Sequence, residues 1–464
     1  VVSKDKSTQS TPVFSTANGK YFVFEVMTVI VLMFCYWNID HHWSRSVNYA
    51  DADEALYDGS ENSTADRLGK VNTMSTVSRL LLAGWGGLCF FSRRSSTINW
   101  NSALLWASLS FASLLCLSIF WSIHFQHTLF KLTVLIAVVC SAIGFASRFP
   151  TRQLFEMICF VCIFFIGIGV LSEIAHGTFR PWRGTYRFIG TSHPNTLAIF
   201  AAILCLSARL FLRQGKSRMF ALLIVAIGVG VLVLAKSRTT LGGVLVAMLV
   251  TQIVSVRGSN RIYLLTGGVF AMGAIALASL FLSQQATGQL GNAVAMGRTE
   301  DVTSLTGRLP LWQELIDSIN KRPMLGYGYL AYWDANRVEY LSDIFKWEIP
   351  HGHNAYLDVC LDVGVVGLGV CFVWLITALV ESFGLYQSTN RIEYAIIFGL
   401  VVFAMVNGFA ESLFKLPTFH LFALLCFLGS LVFSQPKHEE NAPVVAPATR
   451  RPATRHFSHS LPVR

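Results

Sequence analysis

Two histidines one residue apart, His351 and His353, stand at the end of a polar stretch, followed at once by Asn354 and an apolar run. Imidazole is the side chain best suited to proton transfer near neutral pH, so the pair is a candidate general base. Metal binding and a plain structural cap are the competing readings of His-x-His. As a ligand set it is too sparse, and no Cys or further His cluster accompanies it, so no metal is expected. Asp358 and Asp362 follow at i, i+4, placed either to orient a histidine or simply to pack.

Three other segments concentrate cations. The first holds Arg180, Arg183 and Arg187, with Trp182 and Tyr186 between them and His193, Pro194 and Asn195 after them. It reads either as an interfacial anchor at headgroup level or as an anion site. The second is Lys236-Ser237-Arg238, a tight polar turn where snorkelling to lipid phosphate competes with phosphate binding. The third is Thr306-Gly307-Arg308-Leu309-Pro310, where Pro near a helix start and the apolar spacing that follows predict an amphipathic helix on the membrane face. Arg308 falls at that helix's N-terminus, where backbone N–H groups favour anions. Tyr327, Tyr329, Tyr332 and Trp333 supply rings that suit either a sugar face or an interfacial loop.

What positions these residues is a membrane. Of 464 residues 53% are hydrophobic and 13% charged, about half the charged share of a soluble domain. Apolar stretches of about 17–25 residues recur along the whole chain, the length that crosses a ~30 Å hydrocarbon core. Uninterrupted hydropathy excludes a barrel, whose strands alternate. The expected fold is an all-α integral membrane protein with about twelve spans. They lie near Tyr21–Trp37, Ser78–Phe91, Ala103–Trp121, Leu129–Ala146, Leu154–Glu173, Thr196–Leu212, Met219–Ala235, Thr240–Val254, Ile262–Leu282, Ala355–Leu379, Ile392–Asn407 and Thr418–Phe433. The corresponding organisation is a cytoplasmic N-terminus (1–20), about nine spans (21–282), a long external loop (283–354), about three spans (355–434) and a basic, Pro-rich disordered tail (435–464).

Lys and Arg of short loops stay cytoplasmic. Lys4, Lys6, Lys20, Arg93, Arg94, Arg148, Arg152, Arg213, Lys216, Arg218, Arg257 and Arg261 all fall on one side under this count. The three arginine segments and the histidine pair face the other way, against the bias. The formal charge of +10 is mostly this topological bias plus the tail, so nucleic acid is not an expected partner. The first span is expected to serve as its own insertion signal. Most Cys residues sit in apolar spans and act as small hydrophobes; Cys159 and Cys162 make a CxxC only by coincidence of spacing.

His353-Asn354, nine residues and then Gly364-Val365-Val366-Gly367 resembles the His-Asn-x9-Gly-x-x-Gly signature of the O-antigen ligase and polymerase superfamily. Thr306-Gly307-Arg308, Ser237-Arg238 and the Arg187 to Asn195 segment resemble further motifs of that family in the same order. The run from Gly326-Tyr327-Gly328 through Asp358 looks like its exopolysaccharide polymerase branch. The resemblance implies a membrane glycosyltransferase of GT-C-like architecture at the outer face of a bacterial inner membrane. It would move a glycan from a polyprenyl diphosphate, undecaprenyl in bacteria, to a sugar hydroxyl. The partners implied are that donor, a glycan or lipid-anchored sugar acceptor and membrane lipid; no cofactor is implied. Arg238 and Arg308 then match the arginines that hold the diphosphate, and His353 the base. Arg187, His193, Asn195, Lys236, His351, Asn354, Tyr327 and Trp333 are expected around the substrates. Which of Arg180, Arg183 and Arg187 meets phosphate is left open. Two other classes compete: a transporter or flippase of lipid-linked sugars, which needs no proton acceptor, and a peptidoglycan-type polymerase relying on a loop carboxylate such as Asp301 or Asp343.

Overall fold

The computed structural model describes residues 19–47, 73–92, 97–183, 186–213, 218–256, 308–345, 347, 349–414 and 418–434. Among the described residues, the helices of the first part run in order α1 (Gly19–Asp40), α2 (Thr73–Phe91), α3 (Ala103–Leu117), α4 (Phe125–Arg148), α5 (Thr151–Ala175), α6 (Pro194–Arg213), α7 (Arg218–Leu234) and α8 (Arg238–Ser255). The second part holds α9 (Arg308–Lys321), α10 (Ala335–Phe345), α11 (Ala355–Thr389), α12 (Ile392–Asn407) and α13 (Phe419–Val432). A two-residue antiparallel pair, β1 (Thr97–Ile98) with β2 (Phe433–Ser434), ties the chain before α3 to the end of α13.

Among the described residues, eight helices are long and apolar enough to cross a membrane, and α7, α12 and α13 are shorter apolar helices. These eleven stand where the sequence places spans. The expected ninth span, the N-terminal segment, the tail, and the part of the external loop that carries Arg298, Asp301 and Gly307 lie outside the described residues. Leu80, Phe91, Phe160 and Met219 point outward from the bundle, as lipid-facing side chains do. Centrality falls to α6, 83% of whose apolar window is buried between α5, α7, α8 and α12. At the crossing of α2 and α4 the backbones nearly touch. A Cβ on Gly144 would stand 1.9 Å from the Gly86 carbonyl oxygen, the close approach small residues permit between membrane helices.

The described part of the long loop, from residue 308, is built rather than open. The amphipathic helix expected after Gly307 is α9, described from Arg308 onward. A second short helix, α10, was not anticipated. Between them residues 322–333 fold back onto α11, which is not one continuous helix. It breaks at Val363 (φ −135°, ψ 17°) and Gly364 (φ 69°, ψ −170°), and it runs on to Thr389 instead of ending near Leu379. The break frees backbone groups for the loop. Val365 N–H donates to Pro323 O at 2.8 Å, Tyr327 N–H to Leu361 O at 2.7 Å and Gly328 N–H to Asp362 O at 2.9 Å. Only glycine adopts the Gly364 backbone readily, and a Cβ there would lie 2.1 Å from Met324 O.

Candidate functional site

The predicted residues gather at the end of the bundle where α5, α7 and α12 finish and α6, α8 and α11 begin. The Arg187 segment is shaped by a buried carboxylate. Glu173, 1% exposed near the end of α5, accepts Ile189 N–H at 2.8 Å and Gly190 N–H at 2.7 Å. It also accepts the Tyr186 hydroxyl. Burial and that contact push the Tyr186 phenol far above its ordinary range. The segment then pairs with the α7–α8 turn through Phe188 N–H to Leu234 O at 2.8 Å. Arg187 Nε donates to Ala235 O at 3.0 Å. This sets Arg187 beside the turn that carries Lys236, in the left-handed region at φ 49°, and Arg238, the first residue of α8. Ser237, just before it, donates through its hydroxyl to Thr240 Oγ1.

Arg187 Nη2 donates to Asn195 Oδ1 at 3.0 Å, and Asn195 Nδ2 donates to Glu411 Oε1 at 2.6 Å. Glu411 meets Arg308 as well, Nη2 to Oε1 at 3.0 Å, while Arg308 Nη1 donates to Ala410 O. Three predicted residues from two distant segments, Arg187 with Asn195 and Arg308, are therefore joined through a carboxylate that sequence reasoning passed over. Burial raises the Glu411 carboxyl above its ordinary range, with the charges and bonds of Arg308, Asn195 and Arg187 pulling the other way. His193 has a local role, its Nδ1 accepting Asn195 N–H at 3.2 Å at the start of α6.

The histidine loop is held from three directions. Asn354 caps α11, its side chain accepting from Tyr356 and Leu357 N–H, so the cap is the asparagine and not a histidine. His353, 9% exposed, has φ 48°. Its ring lies 4.1 Å from that of His351 and 5.2 Å from that of Trp347. His351 Nδ1 accepts His353 N–H at 3.3 Å. Gly352 O accepts the Trp312 indole N–H from α9 at 2.9 Å, and Gly352 N–H donates to Asp358 Oδ1 at 3.0 Å. Asp358 accepts the Trp333 indole N–H at 3.1 Å and the Ser412 hydroxyl too. Asp362, in contrast, serves the loop backbone, accepting Leu330 N–H at 2.8 Å.

The aromatic run is mostly interior. Tyr332 and Trp333 are 2% and 7% exposed, and the Tyr327 hydroxyl donates to Ser318 O. These rings pack the cap formed by α9 and α10, and Trp333 lines a cavity of about 120 Å³. That cavity runs from His351 and Asp358 down between the apolar faces of α3, α4, α11 and α13. Arg180 and Trp182 are exposed, Trp182 by 76%, as an interfacial anchor would be. Of the three arginines in that segment, Arg187 is the one tied into the cluster.

One short segment joins the two halves of the site. Gly408 O accepts Ala355 N–H at 2.8 Å, Ala410 and Glu411 hold Arg308, and Ser412 reaches Asp358. Arginine cluster and histidine loop thus share a scaffold only a few residues long. Such a site combines guanidinium groups suited to phosphate with an imidazole on a loop tied to the same scaffold.

Residues 222–372 match the O-antigen ligase family model, so the stretch from α7 into α11 is similar to O-antigen ligases and lies within a many-helix membrane protein. The chain is 25% identical over 405 residues to the exopolysaccharide production protein ExoQ of Rhizobium meliloti, covering 82% of this chain and 88% of that protein. It is also 27% identical over 113 residues to a Rickettsia conorii protein named as a candidate polysaccharide ligase, covering 22% of this chain and 27% of that one. The resemblance read from His353-Asn354 and Gly364 to Gly367 stands.

Proposed function

We propose that this chain transfers a glycan from a polyprenyl diphosphate to a sugar hydroxyl in surface polysaccharide synthesis, at the outer face of the bacterial inner membrane. The observation that carries the reading is the shared scaffold, in which residues 410–412 bond to Arg308 and to the Asp358 that holds the histidine loop. Both halves of a transfer, a diphosphate site and a proton acceptor, meet there.

In the proposed reaction the acceptor oxygen attacks the anomeric carbon and its proton passes to His353. The bond from that carbon to the diphosphate oxygen breaks, and negative charge builds on the departing carrier diphosphate. Guanidinium forks from Arg308 and Arg238, with Lys236 and Arg187 nearby, stabilise that charge more in the transition state than in the ground state. Removing the acceptor proton contributes about 10²- to 10⁴-fold. Direct attack inverts the anomeric centre. Arginines take the place a divalent ion has in other phosphate chemistry, so the reaction is proposed to proceed without metal.

The test is transfer by purified protein in detergent with chelator, using carrier-linked oligosaccharide extracted from cells that lack the chain. Turnover by the native protein, lost in His353→Ala and Arg308→Ala while both stay folded, supports the reading. If the native chain and both variants are equally inert toward every acceptor, yet move lipid-linked sugar across vesicles alike, it is a transporter. A cytoplasmic signal from a reporter fused at Gln313 sinks the outward placement of the site.

A further inference from the structure

Glu411 gathers contacts from two segments far apart in the chain. Its Oε1 accepts from Arg308 Nη2 at 3.0 Å and from Asn195 Nδ2 at 2.6 Å. Asn195 then offers Oδ1 to Arg187 Nη2 at 3.0 Å. The other arm of Arg308 is taken by Ala410 O, the neighbouring residue. The Glu411 side chain is 8% exposed and that of Arg308 15%. A carboxylate so enclosed is costly unless its oxygens are used, and here one oxygen serves both branches.

A simple ion pair would need one cation and one carboxylate. The Asn195 relay goes further, because it carries the same anchor to a second guanidinium that already holds Ala235 O through Nε. With Nη1 and Nη2 both engaged, the plane of the Arg308 fork is fixed, and a preset fork loses less on binding a phosphate than a mobile one. Two opposite effects then follow from one residue. Its negative charge repels an anion, while its geometry prepares the arginines for one.

Resting on the donor reading above, we infer that Glu411 is a positioning residue for the diphosphate, presetting Arg308 directly and Arg187 through Asn195. Glutamine at this position keeps an acceptor oxygen and removes the charge; alanine removes both. If positioning governs, the two substitutions act in opposite directions. If Glu411 is only an anion that a donor must displace, both tighten binding.

The experiment measures binding of farnesyl diphosphate, with farnesyl monophosphate for comparison, to purified full-length protein in detergent. Native protein, Glu411→Gln, Glu411→Ala, Asn195→Ala and Arg308→Ala are compared, each checked for fold by gel filtration and thermal midpoint. The expected result is that Glu411→Gln binds the diphosphate as tightly as native or more so, and Glu411→Ala binds it about tenfold or more weakly. Asn195→Ala falls between, and adding it to Glu411→Ala costs little more, because both act on Arg187 through one relay. Native or tighter binding by Glu411→Ala, with Arg308→Ala impaired, overturns the inference and leaves the donor reading standing. No loss in Arg308→Ala removes the donor reading and the inference with it. Should Glu411→Ala fail to fold, Asn195→Ala decides: weakened binding supports the relay, and native affinity overturns it.

Discussion

Replacing Gly364 by alanine tests whether the break in α11 holds the cap in place. The residue sits at φ 69°, ψ −170°, a region open in practice to glycine alone, so a side chain costs about 1–3 kcal/mol through the backbone. Its Cβ would stand 2.1 Å from Met324 O and 2.5 Å from Leu325 N. Both are backbone atoms, so the 323–325 segment has to retreat instead of turning a side chain aside. Retreat breaks the bond from Val365 N–H to Pro323 O and strains those from Tyr327 and Gly328 N–H to Leu361 and Asp362 O. At about 1 kcal/mol net for each bond lost, the whole effect is roughly 2–6 kcal/mol. Gly369→Ala on the same helix is the control: nothing lies within 4 Å of its Cβ, and alanine in a helix gains up to about 1 kcal/mol. The assay is the thermal midpoint for loss of monodisperse protein in detergent, with trypsin cleavage after the exposed Lys321 as a local readout. Gly364→Ala should melt well below Gly369→Ala and be cut faster. Equal midpoints and equal cleavage would refute the argument that this backbone contact anchors the cap.

His353→Ala should lower transfer by about 10²- to 10⁴-fold while leaving diphosphate affinity intact, measured by turnover beside donor binding; unchanged turnover removes it as the base. Asp358→Ala strips the acceptor from Gly352 N–H, the Trp333 indole and the Ser412 hydroxyl. Each unsatisfied donor costs about 1–3 kcal/mol, so kcat should fall more than KM rises, and Asp358→Asn, which keeps one acceptor oxygen, should be milder. The Glu411 carboxyl is raised by burial, so between the ordinary carboxylate range and its raised value the folded chain holds more protons than the unfolded chain. Stability from this group is therefore full below that window and is lost as pH rises through it. Thermal midpoints of the native protein should decline across the window by more than those of Glu411→Gln, and parallel curves would count against the shift.

How much of this was legible follows from range. Spans announce themselves locally: among the described residues eleven apolar helices stand where hydropathy places them, and α9 covers the amphipathic run that the Pro and apolar spacing mark. Partnerships between segments do not. Glu411 and Ser412 lie in a short turn after α12, and a count of cations against the topological bias gives a lone carboxylate no weight. Glu173 reads as the end of a span, because its work on Ile189 and Gly190 N–H is visible only once the chain has folded back. Gly364 and Gly367 were noticed as motif letters. The reason for Gly364 needed the loop: a backbone at 323–325 leaves no room for a side chain. The aromatic run reads as either a sugar platform or an interface; in the fold Tyr332 and Trp333 are buried under the cap, with Trp333 also on the wall of the cavity that reaches His351.

The charges around the cluster restrict what fits there. Among the described residues, Arg187, Lys236, Arg238 and Arg308 lie on connected segments, and Glu411 is the carboxylate bonded into them. Cations grouped at partly buried positions attract an anion, because water screens their charge less there than in the open. On the donor reading a neutral sugar gains nothing from them, and a single phosphate gains part. A diphosphate offers more charge and two groups for separate forks to grip. Farnesyl diphosphate should therefore bind more tightly than the monophosphate, with the margin shrinking in Arg308→Ala and again in Arg308→Ala with Arg238→Ala. Equal affinities for the two ligands in native protein would mean that lipid chain, and not charge, selects what enters.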